Sequence, residues 1–314
     1  MELLDIRLLA EKIRENVSKV IVDKDNIIDL SLICVITGGH MLLEDVPGTG
    51  KTVFARALAA SIDCDFNRIQ FTPDLLPSDV TGINFFSQKE NNFSFRAGPI
   101  FSNIVLADEI NRATPRTQSA MLECMEERQV TIDGETKELI APFLVIATQN
   151  PVEIQGTFPL PEAQLDRFLI KTSMGYPDSE AEINILRRFK EHNPLKELKA
   201  VVSAQDIIEA SKIYSKVKVS DDILGYITKI VQASRKHAGA HLGISPRGSL
   251  ALLKAIQVKA LLDGREFVTP DDVKSMAGPV LSHRLIPTGL SSRNKNAGEK
   301  IIIDILSHIE VPLE

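Results

Sequence analysis

Apolar residues recur at intervals of three and four near the start of the chain. This spacing is typical of an amphipathic helix with one face on a core, and we expect such a helix over residues 3–21. A second helical stretch, residues 26–37, ends at Gly38-Gly39 and leads into the short apolar run 40–44. A run this short and this apolar is typical of a strand that is buried on both faces.

Strand and helix patterns then alternate along the chain. Helix formers dominate residues 53–62, and residues 115–127 form a further helical segment. Three stretches have strand character: 66–71, 103–107 and 142–147. Such alternation predicts a parallel sheet with helices on both faces. We therefore expect an α/β fold with three layers (helices, sheet, helices) over residues 1–175.

Two segments interrupt this alternation, and each is typical of a β-hairpin. Residues 80–97 carry aromatic residues on both sides of Asn91-Asn92, and residues 128–141 contain the turn pair Asp133-Gly134. From residue 176 onward the pattern changes to helices with clear caps, such as Ser245-Pro246, and shows no convincing strand. We predict an α-helical lid domain over residues 176–314.

Composition places the chain among soluble globular proteins. Hydrophobic residues make up 44% of it and charged residues 25%, and no stretch approaches the ~18 to 20 apolar residues of a membrane span. The net charge of −6 argues against a general surface for nucleic acid or acidic lipid. Cys34, Cys64 and Cys124 are far apart in sequence, which favours a reducing compartment and a cytoplasmic protein.

A glycine-rich segment lies between the predicted strand 40–44 and the helix 53–62. It reads Asp45-Val46-Pro47-Gly48-Thr49-Gly50-Lys51-Thr52. Backbone N–H groups of such a loop and the dipole of the following helix bind phosphates, so we expect these residues to hold ATP. Lys51 would reach the β- and γ-phosphates, and the Thr52 hydroxyl would bind Mg²⁺. The usual pattern has Gly where this chain has Asp45, so the loop alone leaves open an ordinary turn into a helix.

Polar residues follow two of the predicted strands. Asp108 and Glu109 come directly after strand 103–107, so both carboxylates are expected at the carboxyl edge of the sheet. We predict that Asp108 holds the hydration shell of Mg²⁺ and that Glu109 orients and deprotonates the attacking water. Asn150 is the candidate amide that holds this water or the γ-phosphate. Taken alone, the two acids equally suit a helix cap, and Asn150 an ordinary turn before Pro151.

Two arginines are candidates for contact with phosphates from outside the loop. Arg167 follows Asp166 on a short predicted helix and could act as a finger on the nucleotide of a neighbouring subunit. Arg247 is expected in the first turn of a lid helix, where it could sense phosphates. The alternatives are a salt bridge within the chain for Arg167, to Asp166 or Glu162, and a solvated surface position for Arg247.

The order of these features resembles that of an AAA+ ATPase, and the amino-acid sequences of the individual motifs resemble those of the MoxR family in particular. The resemblance extends over about residues 5–290. The segments that carry it are 43–52, 107–113, 126–131, 147–151, 160–168 and 268–273.

This resemblance implies an Mg²⁺-dependent ATPase that works as a ring, expected to be a hexamer. Family members are thought to be chaperone-like and to mature or activate enzyme complexes, which includes insertion of metal cofactors, often with a partner that carries a von Willebrand factor A domain. In the family both hairpins face the central pore or a partner, so Phe85, Phe86, Phe93 and Phe95 are candidates for contact. The alternative is that these aromatics fill the small core of their own hairpin.

Some positions depart from the general AAA+ pattern or leave choices open. Asp23 stands where many AAA+ proteins have Gly, so the contacts to the adenine base are not assigned. Arg112, Arg116 and Arg128 also lie near the expected subunit seam and compete with Arg167 for the role in trans. Two other functions stay open: a DNA-associated AAA+ motor or loader, which the net charge disfavours, and a slow nucleotide switch, which Glu109 disfavours.

Overall fold

The computed structural model describes residues 1–89, 91–151, 156–190, 192–289 and 296–312. In chain order its first part contains α1 (Asp5–Ser18), α2 (Asp25–Thr37), β1 (Met41–Glu44), α3 (Lys51–Ser61), β2 (Phe66–Gln70), α4 (Pro77–Thr81), β3 (Gly82–Ser87), β4 (Asn92–Ala97), β5 (Ile104–Asp108), α5 (Pro115–Glu127), β6 (Gln129–Ile132), β7 (Glu135–Glu138), β8 (Leu144–Gln149), α6 (Glu162–Leu165) and β9 (Ile170–Thr172). The remainder contains α7 (Ser179–Phe189), α8 (Ala204–Ile213), α9 (Asp221–Lys236), β10 (Ala240–Leu242), α10 (Pro246–Leu262), α11 (Pro270–Leu281), β11 (Ile286–Pro287) and α12 (Ala297–His308).

A parallel sheet lies at the centre of the first part, with the strand order β2-β5-β8-β1-β9. β1 lies between two neighbours, so that Leu42 is in register with Ala147 on one side and with Lys171 on the other. This position explains why the first three residues of β1, Met41 to Leu43, are apolar and buried, because both faces of the strand are covered. The parallel sheet is confirmed, and β9 is an additional strand too short to show a pattern in the sequence.

The side chains of the strands alternate between two hydrophobic cores. Met41, Ile104 and Ile146 pack in one core with α1, α2 and α3. Leu42 and Val105, which point to the opposite face, pack in the other core with α5. The sheet is therefore covered by helices on both faces, which confirms the predicted three-layer arrangement.

The first of these cores continues into the helices that follow residue 176. It includes Ile207 of α8, Ile256 of α10 and Ile302 of α12, and α10 packs directly on α2. The lid also contains a short antiparallel pair, β10 with β11, where the sequence indicated no strand. Strands of two or three residues are too short to produce a visible alternation. Within the described ranges, no helix combines the length and the hydrophobicity needed to cross a membrane.

Each of the two predicted hairpin segments contains an antiparallel pair, β3 with β4 and β6 with β7. The aromatic residues of the first hairpin divide into two groups. Phe95 packs edge-to-face on Phe101 and lies under the Lys137 ammonium of the second hairpin. Phe86 and Phe93 contact each other with ring centroids 5.5 Å apart, yet Phe93 is 70% exposed. Phe95 thus takes a packing role, whereas Phe86 and Phe93, and likewise Phe85, are exposed and available for contact.

Candidate nucleotide-binding site

The loop between β1 and α3 has the backbone shape that phosphate binding requires. Gly48 and Gly50 have φ values of +86° and +90°, a region that residues with a Cβ rarely adopt. Gly50 directly precedes the first turn of α3, which begins at Lys51. The loop therefore presents the free N–H groups at the start of a helix to the space in front of β1.

Lys51 and Thr49 each carry a polar atom whose bonding suits a phosphate group. Lys51 Nζ donates hydrogen bonds to the carbonyl oxygens of Asp45 and Val46, both at 3.2 Å. Thr49 Oγ1 is buried and has no hydrogen-bond partner among the described residues. A buried hydroxyl without a partner is unfavourable, and a bound ligand oxygen would relieve this. The loop thus fits the phosphates of a nucleotide.

The two acids after β5 are held by a network from neighbouring strands. Asp108 Oδ1 accepts a hydrogen bond from Thr148 Oγ1 at 2.7 Å, and Asp108 Oδ2 accepts one from Arg68 Nη2 at 2.6 Å. Glu109 has a φ of +56°, and its N–H donates to the same Thr148 Oγ1. Gln70 Nε2 donates to Glu109 Oε2 at 2.8 Å. The Asp108 carboxylate is therefore held from both neighbours of β5, whereas the Glu109 carboxylate is held from β2 and its backbone N–H from β8.

A cleft of about 440 Å³ brings these groups together. The residues that line it, here called the nucleotide cleft, are Pro47, Gly48, Gly50, Lys51, Thr52, Val53, Arg68, Gln70, Asp108, Glu109 and Asn150. Most of the predicted loop, the two acids and Asn150 thus share one cavity, whereas Asp45, Val46 and Thr49 do not line it. An ammonium, the Thr52 hydroxyl and a carboxylate in one cleft are the donor set that ATP with Mg²⁺ requires, so the residues fit both.

Sequence reasoning missed Arg68 and Gln70, which reach the nucleotide cleft from β2. They occupy alternate positions on the strand, so their side chains share one face. This alternation was the only available signal, and it did not show which face of β2 meets the cleft. The pairing of β2 with β5 identifies this face, because Gln70 is in register with Asp108 at the edge of the cleft.

Asp45 was predicted to hold ATP with the rest of the loop, but it does not line the nucleotide cleft. Its carboxylate is 4% exposed and accepts hydrogen bonds from Ser173 Oγ, Met174 N and Gly175 N at 2.9, 2.5 and 3.0 Å. Only its backbone faces the loop, through the carbonyl that accepts from Lys51. A glycine at this position would lack the carboxylate and these three bonds.

Arg167 and Arg247 lie together, away from the nucleotide cleft of their own chain. The Glu126 carboxylate bridges them, with Oε2 3.0 Å from Arg167 Nε and Oε1 3.1 Å from Arg247 Nη1. Arg247 is in the first turn of α10 as predicted, but α6 ends at Leu165, so Arg167 lies in the turn after the helix. The salt bridge of Arg167 is to Glu126 and not to Asp166 or Glu162.

These two arginines line a second cavity, of about 330 Å³, here called the arginine cavity. Its charged lining residues are Glu126, Arg128, Asp166, Arg167, Arg247, Lys254 and Arg284. Cations outnumber carboxylates there, which suits an anionic group. Arg128, which competes with Arg167 for the role in trans, lines the same cavity and donates from Nη2 to the Gly38 carbonyl at 2.6 Å. Arg112, another competitor, has its Nη1 atom 3.4 Å from Glu109 Oε2.

A buried arginine joins the lid to the end of the sheet next to this cavity. Arg284 Nε donates to Asp166 Oδ1 at 2.7 Å, and its other nitrogens donate to backbone carbonyls that include that of Phe168. Burial lowers the pKa of Arg284 to about 10, which still leaves the guanidinium charged at neutral pH. Asp166 is thereby fixed to the lid, one residue before Arg167.

The fold and the nucleotide cleft define an ATPase of the AAA+ class. The model for the ATPase family associated with various cellular activities (AAA) matches residues 40–170, which contain four of the five strands of the sheet and both acids. The model for the AAA lid domain matches residues 232–304.

Relatives narrow this class to one family. The chaperone MoxR1 of Mycobacterium tuberculosis is 39% identical over 94% of this chain and 80% of its own length. The protein MoxR of Methylorubrum extorquens is 30% identical over 90% of this chain and 89% of its own. The chain belongs to the MoxR family of AAA+ ATPases and is an ATP-hydrolysing enzyme.

Two further proteins resemble the chain over almost its full length. The uncharacterized protein YeaC of Bacillus subtilis is 49% identical and covers 99% of this chain and 97% of its own. A crystal structure from Cytophaga hutchinsonii, described as a candidate ATPase, has a TM-score of 0.92 and 40% identity over 99% of this chain and 97% of that one. The lid and the sheet are therefore arranged in a solved relative as they are here.

Proposed function

We propose that this protein hydrolyses ATP to ADP and phosphate with Mg²⁺, as a chaperone-like motor in which identical subunits form a ring. The ring is expected to be a hexamer. The observation that supports this most directly is the nucleotide cleft, which places Lys51, Thr52, Asp108, Glu109 and Asn150 around one cavity. A base, a metal-binding pair and a phosphate-binding ammonium are the groups that phosphoryl transfer to water requires.

Each side chain of the cleft has a separate role in this proposal. When ATP binds, the Lys51 ammonium exchanges its hydrogen bonds to the carbonyls of Asp45 and Val46 for hydrogen bonds to the phosphate oxygens. Glu109 accepts a proton from the attacking water while Asn150 holds that water, and Gln70 keeps the Glu109 carboxylate in place. Thr52 and Asp108 would hold Mg²⁺, which when bound supplies positive charge to offset the charge that develops on the phosphate.

The arginine cavity supports a site shared between subunits. Arg167 and Arg247 do not line the nucleotide cleft of their own chain, and Glu126 holds both of them on one surface. We assign them to the phosphates of a neighbouring subunit, where an arginine stabilises the charge of the transition state. A head-to-tail contact of this kind gives a ring when the rotation between successive subunits closes on itself.

The partners and the client are proposed on the family and on the exposed hairpin. One relative of this chain is named a chaperone, and Phe86 and Phe93 present an exposed aromatic pair that suits contact with another protein. We propose that the client is an enzyme complex that is matured or activated, with metal-cofactor insertion as one such activity. A protein with a von Willebrand factor A domain is the expected partner, and the unpaired thiols of the three cysteines suit a cytoplasmic location.

Two substitutions in the nucleotide cleft test the enzymatic part of this proposal. We expect Lys51→Ala to weaken ATP binding by ~100-fold or more, because the phosphates lose a charge-assisted contact. Glu109→Gln should keep the affinity for ATP but lower kcat by ~100-fold or more, because the amide cannot accept the proton. Calorimetric titration with ATP and Mg²⁺ measures the first effect, and phosphate release measures the second.

The exposed lid residue Lys274 provides a matched control. Lys274→Ala removes one lysine without touching the cleft and should change neither quantity. Equal ATP affinity of the Lys51→Ala variant and the unmodified protein would contradict the proposed site. Full turnover by the Glu109→Gln variant would remove Glu109 from the role of base.

A further inference from the structure

Asp45 occupies the first position of the phosphate loop, where the usual pattern has a glycine, and its side chain is used for something else. The carboxylate is buried, and it accepts three hydrogen bonds from consecutive residues: Ser173 Oγ, Met174 N and Gly175 N. An acceptor with three donors from one short segment is a specific clamp and not a chance contact. The phosphate loop therefore binds that segment directly.

The clamped segment is the connection from the sheet to the lid. It begins after Thr172, the last residue of β9, and ends where α7 starts at Ser179. Met174 is buried in the core, and Gly175 has a φ of +64°, so the chain bends at the clamp. The N–H groups of these two residues have the Asp45 carboxylate as their acceptor. The direction in which the chain leaves the sheet is thus set beside the carboxylate of Asp45.

The backbone of the same residue contacts the parts of the cleft that meet a nucleotide. The Asp45 carbonyl accepts from Lys51 Nζ at 3.2 Å, and the Asp45 N–H donates to the Gln149 carbonyl at 3.1 Å, next to Asn150. A phosphate oxygen competes with the Asp45 carbonyl for the same ammonium. Any change in the bonding of Lys51 therefore acts on the peptide group whose side chain holds the connection to the lid.

We propose that Asp45 is a positioning residue that couples phosphate binding at the loop to the segment 173–175 and so to the lid. The inference rests on the proposed function, since it requires that the loop binds ATP. Coupling of this kind is reciprocal: phosphate binding that orders the loop must also order the segment, and a change at the segment must alter the affinity for the nucleotide. The Asp45 carboxylate thus links the phosphate loop to residues 173–175, a link that a glycine at this position could not make.

Hydrogen exchange of the full chain, with and without the slowly hydrolysed analogue ATPγS and Mg²⁺, tests this coupling. In the unmodified protein we expect the analogue to slow exchange at the Met174 and Gly175 amides by ~5-fold or more. Asp45→Gly restores the usual loop pattern and should still bind the analogue, but with an affinity lowered by up to ~5-fold, because reciprocal coupling links the lost response to a matching loss of affinity. In this variant the exchange at Met174 and Gly175 should no longer respond to the analogue.

Two further variants separate coupling from simple loss of stability. Ser173→Ala removes only the hydroxyl donor and should keep the response, because both N–H bonds remain. Asp45→Asn keeps one acceptor oxygen, so the analogue should slow exchange at Met174 and Gly175 to an intermediate degree. This variant also allows the test to be made if Asp45→Gly does not fold. A weaker contact alone would raise exchange equally with and without the analogue, whereas loss of coupling removes the difference between the two.

The outcomes distinguish this inference from the function on which it rests. If the Asp45→Gly and Asp45→Asn variants bind the analogue and show the full slowing, Asp45 does not couple the two regions, and ATP binding at the loop still stands. If the unmodified protein does not bind the analogue, or binds it as well after Lys51→Ala, the proposed function fails and the coupling fails with it.

Discussion

Thr148 shows how much of the nucleotide cleft depends on one hydroxyl. Its Oγ1 donates to Asp108 and accepts from the N–H of Glu109, so it fixes both acids relative to β8. The hydroxyl is fully buried, and the positive φ of Glu109 directs that N–H toward it. The two acids are therefore held at fixed positions by the neighbouring strand, as a preorganised site requires.

His40 makes stability depend on pH. Burial lowers the pKa of its ring to about 4, and the neutral ring fits its site because Nδ1 accepts from Val145 N while Nε2 lies 2.9 Å from the Met125 carbonyl. The unfolded chain has the ordinary pKa of about 6.5, so it takes up the proton first as the pH falls. Stability is thus complete above this pH and declines by about 3 kcal/mol as the pH approaches 4.

Urea unfolding at pH 7 and pH 4 measures this dependence. We expect His40→Gln, which cannot titrate, to shrink the difference in unfolding free energy between the two pH values by about 3 kcal/mol. The difference should not vanish, because burial also lowers the pKa of His283. His192→Gln at an exposed position is the control and should leave the difference unchanged. An unaltered difference in the His40→Gln protein would show that this ring is not buried in its neutral form.

At the scale of residues, the sequence predicted the cleft where a local motif carries the chemistry. Lys51 and Thr52 follow two glycines, and Asp108 and Glu109 end an apolar strand, so their neighbours along the chain identify them. Arg68 could not be found this way, because its role depends on strands that are adjacent only in the sheet. The partners of the Asp45 carboxylate could not be found for the same reason, since they lie at Ser173 and beyond.

Secondary-structure elements were predictable where the pattern is long. The helix α5 has the predicted bounds, and α1, α2 and α3 differ from their predictions only near their ends. β9 was missed because three residues show no period, although it completes the burial of β1. Arg167 was predicted to lie on a helix, but α6 is a single helical turn, Glu162–Leu165, and ends before it. An element this short has no pattern from which its end could be predicted. Short elements are fixed by tertiary contacts that the local sequence does not contain.

The packing of α12 on the lid depends on a glycine. A methyl group on Gly298 would overlap the carbonyl oxygen of Ser282, which lies in the backbone turn after α11. We expect Gly298→Ala to lower the unfolding free energy by about 1–3 kcal/mol, because a backbone atom cannot move aside easily. Chemical denaturation of the full chain measures this change.

The glycine of α9 gives a matched comparison. Nothing lies within 4 Å of a methyl group placed on Gly225, and the residue is inside a helix. Gly225→Ala should therefore raise the unfolding free energy by about 0.5–1 kcal/mol, through helix propensity alone. If the Gly298→Ala variant gained stability to the same degree, the close approach of α12 to the backbone at Ser282 would be wrong.

The molecule as a whole has a hydrophobic core that is shared between the sheet and the lid. α1 and α2 precede the sheet in sequence, yet they pack on α8 and α10, which follow it. Local patterns predicted α1, α2 and the start of α10 but not their contacts, because the residues in contact are far apart along the chain. The predicted division at residue 175 describes where the sequence pattern changes, and the packing continues across that point.

The separation of the nucleotide cleft from the arginine cavity predicts how defective subunits behave together. Lys51→Ala removes a loop residue and leaves Arg167 intact, whereas Arg167→Ala does the reverse. Each variant alone should hydrolyse ATP poorly, but an equal mixture should recover about a quarter of the sites, since a head-to-tail ring pairs intact halves at random. Phosphate release from the mixture and from each variant, over a range of protein concentrations, measures this recovery. A mixture no more active than its components would contradict a shared site.

The same separation has a consequence for inheritance. Two mutant copies of the gene, one damaged at the loop and the other at the arginine, would each abolish function when present alone. Expressed together in one cell, they would complement each other, although neither encodes a working protein. Conversely, a single copy that damages the loop would interfere with a normal copy, because its subunits occupy places in every ring they enter.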